Sequence, residues 1–274
     1  MHSATIALSL VIYKQGIDDI APLLDSLNNL VAHPLFTSGD WNCRLLVYDN
    51  GSSLRIQNKI LHRISPEIDY RYTKSNINIG FGAGHNRNYK LMAVAPDLFV
   101  ITNPDIEFST SIIAFFQEFL SNHSLALAAP LIVDQQGTIQ LSCKKNPTIL
   151  SLFLGRFSCL QQISYFRSYM RQNRNEDKLY ASQSIQSTYL SGCFLCARPS
   201  YYELVDGFDE RYFLHMEDAD LCRSIAQEQG LVMHLPIAEV CHRWARGSHK
   251  SLFQTLHLTK SALKYFLKWG FQFF

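Results

Sequence analysis

No stretch of this sequence reaches the ~18–20 consecutive apolar residues that a membrane-spanning helix needs, so no helical span is expected. Charged residues are scarce, 18% of 274 against 47% hydrophobic, which supplies ample core material and argues against global disorder. The formal net charge of +2 is too small to point to a nucleic-acid partner, and none is expected. The seven cysteines lack any paired-spacing framework. Cys193 and Cys196 form a CxxC with no second pair at zinc-site spacing. On a strand, positions three apart face opposite sides, which is poor geometry for joint ligation, so packed thiols are expected. An odd cysteine count with no secretory leader fits a reducing cytoplasm. Acidic residues are absent from Cys241 to Phe274, where six Lys or Arg stand. No internal repeat, low-complexity tract or Gly/Pro/Ser linker divides the chain.

What is present alternates strand and helix signals. Short apolar runs at Ile6 to Tyr13, Arg44 to Tyr48, Ile68 to Thr73 and Leu98 to Thr102 read as strands. Helical spacing falls between them at Ile17 to Val31, about Leu54 to Ile64, and His85 to Ala95. This β-α-β-α-β order predicts an α/β fold: a mainly parallel central sheet with helices on both faces. In such sheets ligands collect beyond the carboxyl ends of the strands. The polar clusters at 49–53, 76–86 and 103–105 fall at those ends. Later strands are expected at Ala126 to Val133, Thr138 to Ser142, Thr188 to Ala197 and Leu231 to Leu235, with a helix at Glu217 to Gln229. Lys144 to Lys178 is basic, aromatic and weakly patterned, and reads as a helical insertion near an acceptor.

Five constellations could carry chemistry. Asp49, ahead of Asn-Gly-Ser-Ser, either accepts from a nucleobase edge or caps a turn. The string Asn76-Ile-Asn-Ile-Gly80-Phe81-Gly82-Ala-Gly84-His85-Asn86 opens a helix. Its glycines either let backbone approach a diphosphate or serve a loop needing positive φ. It is neither a dinucleotide fingerprint, since His stands at 85, nor a P-loop, since Gly-Lys-Ser/Thr is missing. Asn103-Pro104-Asp105 ends a buried strand with an amide and a carboxylate, which suits Mg²⁺ or Mn²⁺ sharing its shell with substrate phosphate, or else makes a turn. Between Asp209 and Asp220, five carboxylates lie within twelve residues among aromatic and apolar positions. Glu217 and Asp218 fall in the first turn of a helix, where a carboxylate aimed into a pocket would serve as a general base. His242 precedes Arg243 and Arg246, a pattern suited to phosphate or to a structural role.

In order and separation, LVYDNGSS, NINIGFGAGHNRN, ITNPDIEF, YLSGCFLCAR and VDGFDERYFLHMEDADLC resemble glycosyltransferase family 2. Within it they are similar to the rhamnosyltransferase-like enzymes of bacterial O-antigen and lipopolysaccharide assembly. The resemblance runs from about Ile6 to Ser251. It implies a GT-A fold over 1–252, with a Rossmann-like nucleotide-binding half and an acceptor-side half; the C-terminal amphipathic helix expected at 253–274 is read from residue spacing. The resemblance also implies an inverting mechanism, a divalent cation (Mg²⁺ or Mn²⁺), a nucleotide-diphosphate sugar donor and a lipid-linked glycan acceptor. Asp218 matches the family's general base, beside Glu217. Asp49, Asn50, Asn76, Gly80, Phe81, Gly82, Asn86, Asn103 and Gly192 would contact the nucleotide sugar, with Asp105 and His242 at the metal. Asn103 departs from the family's Asp-x-Asp motif, which weakens a direct metal contact at that position. L-rhamnose from dTDP-rhamnose is the donor the resemblance favours; a UDP- or GDP-linked sugar, or a non-catalytic sugar-binding subunit, remains as an alternative.

The last expectation concerns location. Leu258, Ala262, Tyr265, Phe266 and Trp269 recur at helical spacing, with Lys260, Lys264 and Lys268 opposite. Such a helix either docks on the core or lies in the headgroup layer at the inner face of the cytoplasmic membrane.

Overall fold

The computed structural model describes residues 3–52, 55–243 and 252–274. Ser53 and the segment from Trp244 to Ser248, including Arg246, lie outside them. The first half runs β1 (Ala4–Ile12), α1 (Ile17–Val31), α2 (Pro34–Thr37), β2 (Trp41–Asp49), α3 (Arg55–Leu61), β3 (Ile68–Lys74), α4 (Phe81–Lys90) and β4 (Leu98–Thr102). There follow β5 (Ile106–Phe108), α5 (Ile112–Ser121), β6 (Leu125–Val133) and β7 (Cys143–Lys144). The region 149–173 holds α6 (Ile149–Arg156), a 3₁₀ turn and α7 (Ser164–Asn173). The chain then returns through β8 (Ile185–Gln186), β9 (Tyr189–Leu190), β10 (Phe194–Ala197), α8 (Pro199–Leu204), α9 (Glu217–Gln227), β11 (Leu231–His242) and α10 (Leu252–Trp269).

The main sheet has the order β3-β2-β1-β4-β10-β6-β11-β5, with β8 against β11. The first four strands are parallel, while β10 enters antiparallel between β4 and β6. Side chains of β1 alternate as a strand requires. Ile6, Leu8, Leu10 and Ile12 join the large core under α1 and α5, and Ala7 faces the other layer. On that second face the side chains are small, so α4 approaches closely. Ser9 Oγ bonds His85 Nδ1 at 2.7 Å, and Asn88 Nδ2 donates to Ser9 Oγ at 2.9 Å.

The helix expected at His85 to Ala95 runs instead over Phe81–Lys90, and three strand expectations change, each because pairing partners are invisible in a linear pattern. The expected strand at Thr138 to Ser142 is reduced to a bridge at Ile139 and the two-residue β7. The expected strand at Thr188 to Ala197 breaks at 191–193, because β9 pairs with β7 while β10 belongs to the main sheet. The expected short strand at Leu231 to Leu235 continues to His242. Its register shifts between His234 and Glu239, around Pro236, which has no N–H for the ladder. That continuation brings His242 to a strand end.

Helix α10 turns Tyr265 and Phe266 into a small third core with Tyr212, Met216 and Ala219; Leu258, Ala262 and Trp269 pack against it. The face that the sequence left open between core and headgroup layer is therefore turned into the protein. Asp220, 1% exposed, is the anchor: it accepts from Lys268 Nζ at 2.8 Å and Trp269 Nε1 at 2.6 Å. Lys264 donates to the Arg211 carbonyl. Asp220→Ala is expected to cost about 1–3 kcal/mol, because it leaves the indole N–H unmatched and removes the nearer of two carboxylates from Lys268, which keeps Asp209 at 3.3 Å. Thermal unfolding measures it. A loss under about 0.5 kcal/mol would mean that apolar packing alone holds α10.

Candidate active site

Two joined cavities open beyond the strand ends. One, about 860 Å³, is lined by Asn50, Asn78, Gly80, Phe81, Asn103, Asp105, Phe213 and Arg243, with Lys14 and Tyr13 at its edge. The other, about 570 Å³, is lined by Lys144, Arg174, Tyr189, Gly192, His215, Glu217, Asp218 and His242. Phe81, Asn103 and Leu214 line both, so the two are halves of one cleft.

At the seam, β4 ends at Thr102 and β11 ends at His242. Asn103 Nδ2 lies 3.3 Å and Asp105 Oδ1 3.4 Å from His242 Nε2. Gln140 holds the imidazole from behind: its Oε1 is 3.0 Å from Nδ1, and its Nε2 donates to the His242 carbonyl at 2.9 Å. A proton on Nδ1, donated to Gln140, leaves the Nε2 lone pair facing Asp105. A carboxylate oxygen and an imidazole nitrogen so placed fit a divalent cation. Among the described residues no group of three or more His, Cys, Asp or Glu side chains is placed to hold one, so a cation here would take its other ligands from amides, water or substrate oxygens. Arg243 adds positive charge to the same wall, and its backbone N–H is bonded to the Asp105 carbonyl at 2.8 Å.

Asp49 is fully buried and lines neither cavity. Its Oδ1 accepts from Gly51 N at 2.8 Å and from Ser52 N, and its Oδ2 accepts from the Tyr72 hydroxyl. It holds the turn after β2. Its neighbour Asn50 reaches the larger cavity and ties it to the glycine string, donating to the Gly80 carbonyl at 3.1 Å.

The glycines divide by job. Gly80, at φ +97°, sits before α4, and a Cβ there would lie 2.4 Å from the Phe213 carbonyl oxygen. Phe81 N donates to that same carbonyl at 3.1 Å, so the start of α4 and the acidic loop are locked together. Gly82 and Gly84 lie inside the helix, where built Cβ atoms would come within 2.7 Å of Phe208 and Val11. Helix packing explains both. Asn86 is buried, bonded to the backbone at Phe208 and to the Tyr202 hydroxyl, and Asn76 is exposed; neither lines the cleft. Gly82→Ala is expected to cost about 1–3 kcal/mol of stability with nucleotide affinity unchanged. Weakened nucleotide binding at unchanged stability would put Gly82 in the site.

The five carboxylates separate. Asp209 pairs with Arg211 and Lys268, Glu210 with Arg87, and Asp220 with α10. Only Glu217 and Asp218 line the cleft. They are presented by consecutive left-handed residues, His215 at φ +69° and Met216 at +70°, a strained turn of the sort found at functional sites. Glu217 is buried and its Oε2 has no hydrogen-bond partner. Burial, then the charge of Asp218, pushes its carboxyl well above the usual carboxylate range. Asp218 is more open; its Oδ2 accepts from Gly192 N at 3.0 Å and faces the Tyr189 hydroxyl at 3.4 Å, and its Oδ1 accepts from Ala219 N at 2.9 Å. A Cβ at Gly192 would sit 3.2 Å from Asp218 Cβ, so Gly192 is a buttress of this carboxylate.

Several lining residues escaped the sequence reading: Tyr189, His215, Arg174, Lys144 and Gln140. Lys144 and Arg174 did carry a signal, the basic character of 144–178, but their convergence needs the fold of α6 and α7.

The fold is that of the GT-A glycosyltransferases, and the relatives support a glycosyltransferase. No protein-family model matches it. It is similar to N-acetylglucosaminyl-diphospho-decaprenol L-rhamnosyltransferase of Mycobacterium tuberculosis, 28% identical over 214 residues, which span 74% of this chain and 67% of the relative. It is also similar to rhamnosyltransferase WbbL of Escherichia coli K12, 24% identical over 270 residues, 93% of this chain and 91% of that one. The resemblance to rhamnosyltransferase-like enzymes is thereby borne out. Two solved structures share the fold over 97% of this chain. GalNAc-T7 with UDP, GalNAc and Mn²⁺ has a TM-score of 0.63 at 10% identity, and this chain spans 48% of it. The mannosyltransferase PcManGT of Pyrobaculum calidifontis with GDP-Man and Mn²⁺ has 0.60 at 14% identity, and 65% of it is spanned.

Proposed function

We propose that this chain is an inverting glycosyltransferase that moves a sugar from a nucleotide diphosphate onto a lipid-linked acceptor in surface-polysaccharide (O-antigen) assembly. Rhamnose is the leading sugar, supported by the names of both relatives, with dTDP-L-rhamnose as the donor tested first. The acceptor class is supported by the mycobacterial relative, whose name specifies a sugar linked through diphosphate to a polyprenol. One observation carries the reading: Asp218 opens on a cavity that joins, through Phe81, Asn103 and Leu214, the cavity bearing Asp105 and Arg243.

In this mechanism the donor occupies the larger cavity, with its diphosphate near Arg243 and the start of α4, where helix N–H groups favour anions. Asp218 accepts the proton of the acceptor hydroxyl as that oxygen bonds to the anomeric carbon. The bond from that carbon to the diphosphate breaks on the opposite side, and the electron pair leaves with the nucleotide. Gly192 N and Tyr189 hold Asp218 in place. Asp105 and His242 would hold Mg²⁺ or Mn²⁺, which when bound supplies positive charge to the diphosphate. The test is a panel of dTDP-, UDP- and GDP-sugars with a sugar-diphosphate lipid acceptor, read as released nucleoside diphosphate. Acceptor-dependent release from dTDP-rhamnose is expected. Release from no donor, or release that ignores the acceptor, would overturn the proposal.

The same reading puts the enzyme on the inner face of the cytoplasmic membrane, without a span; no helix among the described residues is long and apolar enough to cross one. The contact surface is the outer side of α10 and the tail after it, where Leu256, Leu263, Leu267, Phe271, Phe273 and Phe274 are exposed. The tail is pinned beside α6 by Ile149 N to the Gln272 carbonyl at 2.9 Å. Truncation at 252 would strip Tyr265 and Phe266 from a core, so point changes are the better probe. Leu263→Ser/Leu267→Ser/Phe273→Ser is expected to weaken co-sedimentation with anionic liposomes at least about tenfold, since each apolar side chain contributes up to about 1.5–3 kcal/mol when buried. Unchanged sedimentation would remove this surface from consideration.

A further inference from the structure

We propose that a third cavity, next to Asp218 and built by the 144–178 insertion, is the binding site for the diphosphate and adjoining sugar of the acceptor; this rests on the acceptor class proposed above. The cavity is about 510 Å³, and Lys144, Lys145 and Lys178 line it with no Asp or Glu among the lining residues. Lys144 lines the Asp218 cavity as well, so the two spaces meet at its side chain. The cavity shares no lining residue with the one bearing Asp105 and Arg243, which places it on the acceptor side of the cleft.

Two kinds of group are missing from its walls. The first is an anion. None of the three lysines makes an ion pair among the described residues, and half-buried Lys144 has its ammonium 5.1 Å from the Tyr189 ring centroid. Burial pushes the Lys144 ammonium pKa down, the Asp218 charge in the adjoining cavity offsets part of this and Arg174 adds to it, so the charged form gains from an anion entering on the lysine side. The second is a hydrogen-bond donor: Asn146 Oδ1 is buried with no partner. A phosphate for the lysines and a hydroxyl for Asn146 together describe a phosphorylated sugar. The outer rim adds Phe274, 81% exposed, at the end of the apolar tail. A lipid attached to the diphosphate would leave the cavity along that tail, while the sugar points past Lys144 toward Asp218.

The test needs no turnover, so failure of the transferase reading is separable from failure of this one. An octyl diphosphate carrying one sugar is titrated calorimetrically into wild type and Lys145→Ala/Lys178→Ala, beside the octyl glycoside without diphosphate and dTDP alone. Both lysines are exposed, and an unchanged thermal midpoint confirms the fold. The variant is expected to bind the diphosphate probe about tenfold more weakly, consistent with loss of charge-assisted hydrogen bonds, with dTDP affinity unchanged. Wild type is expected to prefer the diphosphate probe to the glycoside by at least the same factor. Equal affinities of wild type and variant for the diphosphate probe, no preference over the glycoside, or a parallel loss of dTDP binding would each overturn the assignment.

Discussion

Asp218→Asn is expected to lower sugar transfer by about 10²–10⁴-fold while donor affinity stays near the wild-type value. The range is that of losing a general base. The amide keeps the size of the carboxylate, and its oxygen can still accept from Gly192 N, so the cleft is not reshaped. What it loses is the capacity to take the hydroxyl proton. Single-turnover rates with saturating donor, alongside a binding measurement, separate the two effects. Wild-type turnover would reassign the base. Glu217 is a poor substitute, because burial and the neighbouring Asp218 charge keep it protonated beyond the usual carboxylate range. Glu217→Gln copies that neutral form and is expected to cost less than about tenfold in rate. The sign for stability is also set: the folded pKa lies above the ordinary value of 4.5. Glu217 is therefore best tolerated below that value, and its contribution is lost as pH rises through the raised folded pKa. Glu217→Gln should flatten that alkaline decline.

Chelation is expected to have an effect of similar size. Exhaustive EDTA treatment should reduce transfer by roughly 10³-fold, with recovery on adding Mn²⁺ or Mg²⁺, because neutralising a departing diphosphate supplies several kcal/mol. Asp105→Ala should weaken metal-dependent donor binding at least about tenfold and shift metal titrations to higher concentration. The physical basis is the approach of Asp105 Oδ1 to His242 Nε2 at 3.4 Å, with Gln140 fixing the ring from the other side. Full activity after EDTA would sink the metal site, and Asp105 and His242 would then be a salt-bridged pair joining β4 to β11.

Part of this molecule is written in local pattern. The signals of β1, β2 and α1 are strong because β1 and the second half of β2 are continuous buried apolar runs and α1 buries one apolar face; α1 begins and ends at the residues expected, Ile17 and Val31. Parallel strands joined by helices follow from the order of those elements, and the polar strand ends mark the ligand side. The pair Glu217-Asp218 was legible for the same reason, as carboxylates in a first helical turn among apolar neighbours.

Other decisions belong to tertiary contact. The glycine string is similar in composition whether glycines approach a phosphate or a neighbouring side chain. Only the packing of α4 shows that Gly82 and Gly84 make room for Phe208 and Val11 while Gly80 frames the cleft. Asp220 and Asp218 are chemically alike and two residues apart. Helix geometry turns one onto Lys268 and Trp269 and the other into the cavity. Asp49 ends a strand as anticipated, yet Tyr72 and the turn amides claim its oxygens. The meeting of Asn103 and Asp105 with His242, more than a hundred residues away, depends on β11 continuing past Pro236, which no local pattern announces. Sequence by itself determined the alternation of elements, the polar strand ends and the acidic pair in a first helical turn, because each is a property of neighbours along the chain. Tertiary structure alone decided which polar groups face the cleft and which are spent on folding, because that depends on what the fold places opposite them.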